Sequence, residues 1–105
     1  MTTWTQTGAA ALRKTPHAEL CAEARLPRYG SEDELRLERV WLKRERYEAL
    51  RFTAWRHGRF IPRPAHLTEP ELIALLDRGL EGGVFSDFFR RQLFLLVARQ
   101  FSEED

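Results

Sequence analysis

The chain has 105 residues, 17 basic and 16 acidic, with a net charge of +1; 43% of its residues are hydrophobic and 31% are charged. That composition excludes a disordered or fibrous polymer and fits one domain built on a modest core. The single cysteine, Cys21, excludes an internal disulfide, and the start M-T-T-W-T-Q-T lacks the basic and apolar regions of a secretory signal. The longest apolar run, Leu93 to Ala98, falls far short of the ~20 residues of a membrane helix, so the expectation is a reducing, cytoplasmic protein without membrane contact.

Residues 1–14 read as a weakly ordered arm in which Trp4 is the one large apolar group. Thr15 followed by Pro16 resembles a helix start, because proline at the first helical position gives up an N–H that has no intrahelical partner. A short N-terminal helix from Pro16 to Arg25 is therefore expected, ended by Pro27 and Gly30.

Ser31 to Trp55 supports two readings. Ser31-Glu32-Asp33-Glu34 matches a capping box, and no glycine or proline follows until Gly58, which would allow one helix over 31–57 and an all-α fold. On a helical wheel, however, Leu35, Leu37, Val40, Trp41, Leu42, Tyr47, Leu50, Phe52 and Trp55 spread round the whole circumference and leave no polar face. Leu50, Phe52 and Ala54 alternate with Arg51, Thr53 and Trp55, which is the period of a strand. The favoured reading is a small antiparallel sheet of two or three strands over about 34–63. Its last pair is joined by a turn at His57-Gly58, and Pro62 and Pro64 confine the final strand to an edge.

Thr68-Glu69-Pro70-Glu71 is a capping box. Leu72, Ile73, Leu75, Leu76 and Leu80 then give the spacing of a core-facing helix that Gly82-Gly83 stops. Ser86 caps a last helix running to about Phe101, with 102–105 an acidic tail. This helix is apolar on two sides: Phe85, Phe88, Phe89, Leu93 and Leu96 form one stripe, and Phe94, Ala98 and Phe101 lie opposite. The second stripe is a candidate homodimer face. The expected fold class is α+β, with the sheet covered on one side by the N-terminal helix and the two C-terminal helices.

Charge is uneven along the chain. Residues 34–63 carry nine basic side chains against four glutamates, and 64–105 carry four against eight acids. Within the basic part, R-F-T-A-W-R-H-G-R-F-I-P-R-P (51–64) places arginines beside aromatics. Arg51, Trp55, Arg56, Arg59, Phe60 and Arg63 are thus a candidate interaction face for a protein partner, arginine and tryptophan being enriched at interface hot spots. The same residues suit nucleic acid, with bases stacked on rings and phosphates held by guanidinium groups. The bland alternative is that Trp55 and Phe60 pair across the hairpin under arginine stems.

No phosphate-binding glycine loop, dinucleotide fingerprint, zinc-protease pair or nucleophile elbow occurs in the sequence. His17, Cys21, His57 and His66 lack the close pairs of a zinc site. His17 and Cys21 lie four apart and would share a face of the expected first helix, the basis of a thiol enzyme or sensor as a third hypothesis. The sequence therefore points to a small non-catalytic interaction or accessory protein, with no cofactor and no metal.

Overall fold

The computed structural model describes residues 13–103, which form an α+β arrangement of five antiparallel strands and two helices. The strands are β1 (Arg13–Lys14), β2 (Ala18–Pro27), β3 (Asp33–Leu42), β4 (Tyr47–Arg56) and β5 (Arg59–Ile61), in the spatial order β1-β2-β3-β4-β5. Each pairs with its sequence neighbour, so the sheet is a meander. Helices α1 (Glu69–Glu81) and α2 (Asp87–Glu103) follow.

The expected N-terminal helix is a strand. Ala, Glu and Leu favour a helix over 16–25, but Ala18, Leu20, Ala22 and Ala24 also alternate at period two, and β3 offers a complete pairing edge. Thr15-Pro16 is a turn rather than a helix start, for the Thr15 hydroxyl accepts from the N–H groups of His17 and Ala18 at 3.3 and 3.0 Å. A bulge at Cys21, where the register steps between Leu20 and Ala22, moves the later alanines to the opposite face. Residues 13 and 14, expected within the arm, form an edge strand; Trp4 and the rest of the arm lie outside the described residues.

The sheet is also larger than two or three strands over 34–63, since β2 adds ten residues to one side. The all-helical reading of 31–57 fails, because β3 and β4 pair in unbroken register from Asp33↔Arg56 to Leu42↔Tyr47. A two-residue loop joins β4 to β5, with φ of 50° at His57 and 74° at Gly58, the left-handed pair that matches strand twist in a tight hairpin.

One face of the sheet carries the core. Ala22 and Ala24 of β2, Leu35 and Leu37 of β3 and Ala54 of β4 pack against Leu75 of α1 and against Val84 and Phe85 beyond it. Gly79 lets α1 come close: a Cβ there would stand 2.8 Å from the Phe85 ring and 3.0 Å from Leu37. The opposite face holds a smaller apolar cluster, Ala18, Leu20 and Val40, followed by charged residues.

Of the two C-terminal helices expected to cover the sheet, one does. α1 lies over β2 and β3, while Leu50 and Phe52 of β4 remain about 40% exposed on that face. α2 is held at its base, where Phe85 and Phe89 stack at 4.9 Å and Ser86 caps the Phe89 N–H at 3.1 Å, and then runs off the body. The radius of gyration, 15.2 Å, exceeds the ~13 Å of a compact chain this long. The helix extends to Glu103, so its last turn takes in the start of the expected tail; residues 104 and 105 lie outside the described residues.

Candidate interaction surfaces

Strand parity divides the hairpin candidates. Arg51, Trp55 and Phe60 lie on the face opposite α1, with Trp55 paired to Phe60; Arg56 and Arg59 pair with each other on the α1 side. Arg63 follows the last strand in an exposed loop. Arg59 is thus not brought together with Trp55 and Phe60.

The Trp55 and Phe60 rings meet edge to face at 5.6 Å, and the Arg36 guanidinium sits 4.0 Å over the indole. The Trp55 Nε1–H donates to the Thr53 hydroxyl at 2.8 Å. Arg36 belongs to this cluster although it lies outside 51–64; its place opposite Thr53 in the β3–β4 ladder is the signal for it.

Part of the local positive charge is spent inside the sheet. Arg51 Nε donates to the fully buried Glu38 carboxylate at 2.8 Å, Arg36 Nε to Glu34 at 2.6 Å and Arg56 Nε to Asp33 at 2.7 Å. Arg39 is paired with Glu48. The Arg56 guanidinium holds the Asp33 carboxyl below its usual range. These neighbours come from the strands themselves rather than from the acidic helices. Within the described residues, Arg59 and Arg63 make no carboxylate pair.

The link between sheet and helix is a clamp. Arg28, just past β2, binds both Glu71 carboxylate oxygens at 2.8 and 3.2 Å and also donates to the His66 carbonyl. Glu71 closes the capping box by accepting the Thr68 backbone N–H at 2.8 Å. Arg28, followed by the Thr68 N–H, depresses the Glu71 carboxyl to about 2. Because the folded value lies below the ~4.3 of a free glutamate, the clamp stabilises fully above that value, and its contribution is lost as pH falls toward 2. The thermal midpoint of a Glu71→Gln variant should accordingly lie below that of the natural chain at neutral pH. The gap should close on acidification; a gap constant down to pH ~2 would contradict the clamp.

Cys21 is buried at the bulge, and burial, reinforced by Glu48, pushes its thiol up. His17 is exposed in the bend before β2, so it shares no helical face with Cys21. The expected thiol–imidazole pair is therefore not assembled. No group of three or more histidine, cysteine or acidic side chains that could hold a metal occurs among the described residues.

α2 presents the largest apolar exposure. Phe88, Phe94, Leu95, Leu96, Val97 and Phe101 are 46–71% exposed, and Ala98 is half-buried. Phe94, Ala98 and Phe101 share one side of the helix. Next to them an open groove of about 550 Å³ is lined by Leu80 of α1 and by Asp87, Arg90, Arg91 and Phe94. Leu80, expected on the core face of α1, is 37% exposed at the groove wall.

The fold defines a class, an antiparallel meander with one helix on its face and a second projecting from it. No family model, curated protein or solved structure matches the chain. Within the described residues no helix is long and apolar enough to cross a membrane.

Proposed function

We propose that this chain is a small, non-catalytic, cytoplasmic interaction protein whose docking element is α2. The observation that carries the reading is the exposure of six large apolar side chains on that one helix. A soluble monomer rarely shows so much contiguous apolar surface without a partner for it. The hairpin is the weaker docking edge, since Trp55 is already engaged by Arg36, Phe60 and Thr53. Nucleic-acid binding is disfavoured because Arg36, Arg51 and Arg56 are neutralised by carboxylates within the sheet. A thiol enzyme is disfavoured by the burial of Cys21 and the upward push on its thiol.

The test is a double variant, Phe94→Glu with Leu96→Glu. The natural chain should either bind an apolar dye in dilute solution or sediment above its 12.4 kDa monomer mass. The variant should do neither while keeping the circular dichroism of the sheet. A natural chain that is monomeric and binds no dye would overturn the reading.

A further inference from the structure

We infer that the partner of α2 is a second copy of the same chain, paired antiparallel through Arg91, Phe94, Ala98 and Phe101; this rests on α2 being the docking element. These residues recur at spacings of three, four and three, the seam period of paired helices. Arg91 and Phe94 line the open groove beside Leu80, and Ala98 and Phe101 continue the same side of the helix. Ala98, small and central, permits close approach at the two-fold axis. With Ala98 on the axis, Phe94 of one copy stands beside Phe101 of the other.

Charge selects the orientation. Arg90 and Arg91 are exposed at the base of α2, Arg90 standing 3.7 Å from Asp87 of its own helix. Antiparallel pairing sets the negative pole of each helix against Arg91 of the other copy. Parallel pairing would put arginine beside arginine and negative pole beside negative pole.

The surface is sufficient for a weak pair. Phe94 is 71% exposed and Phe101 65%, leaving roughly 100–150 Å² of each ring to cover. With Val97, Leu80 and the arginine stems the seam reaches on the order of 500 Å² per copy. That is below the ~800 Å² per side of a standard interface, so association belongs in the micromolar range.

Sedimentation of the full chain across micromolar concentrations should show the mass rising from 12.4 kDa toward twice that value. On a Cys21→Ala background, Ala98→Cys should cross-link copies under mild oxidation, whereas Leu96→Cys, on the far side, and Arg91→Cys, remote from its counterpart in an antiparallel pair, should not. Cross-linking through Arg91→Cys would mean parallel helices, and through Leu96→Cys a different face; either overturns the inference. A chain that stays monomeric yet binds apolar dye also overturns it while leaving α2 as a docking element for another protein. A dye-free monomer overturns both.

Discussion

Replacing Leu75 with alanine is expected to destabilise the chain by about 2–5 kcal/mol, the usual range for emptying a buried leucine site. Leu75 is fully buried and is the side chain by which α1 meets Leu35, Leu37 and Phe85. Neighbouring groups are poorly placed to collapse into the void. The partners across it are strand residues fixed by the ladder, and Gly79 already lies against the Phe85 ring. A domain of this size has only ~5–15 kcal/mol of stability, so the loss would lower the thermal midpoint by roughly 10 °C or more. Urea unfolding should show a lower midpoint with an unchanged slope. A loss under ~1 kcal/mol would mean that α1 does not anchor the core face.

Parts of the fold that rest on local chemistry could be read from the residues. The Thr68 capping box, the Gly82-Gly83 stop and the His57-Gly58 turn each rest on local chemistry that tertiary contacts do not alter, and all three occur where their residues place them. The alternation of Leu50, Phe52 and Ala54 identified β4 for a similar reason, since a half-buried strand leaves its own period in the sequence. β2 was harder. Its alanines and glutamates have helical propensity, and what makes them a strand is the edge of β3, whose matched residues run from Glu34 opposite Pro27 to Leu42 opposite Ala18.

The surfaces divide in the same manner. Strand parity alone separates Arg51 from Arg56. The carboxylates that neutralise these arginines are found only when register is known, because Glu38 and Asp33 stand thirteen and twenty-three residues away in sequence. The two-sided apolar character of α2 was legible from its helical wheel, whereas its departure from the body was not. That depends on α1 occupying the part of the sheet over β2 and β3.

The second large effect concerns α2 itself. A 17-residue helix is near the length at which isolated helices are marginal in water, and this one gains packing on its own chain mainly at Phe85 and Phe89. Its backbone hydrogen bonds should therefore open far more readily than those of β3, which is flanked by strands on both sides. Amide hydrogen exchange on the dilute chain is the most direct measurement of this claim. The account predicts that amides from about Phe94 to Phe101 exchange about a hundredfold or more faster than those of Leu35 to Val40, and slow when the helix is covered by its partner. Equal protection of α2 and β3 in the dilute monomer would show that the helix is packed on its own body, and would contradict the assignment of α2 as the docking element.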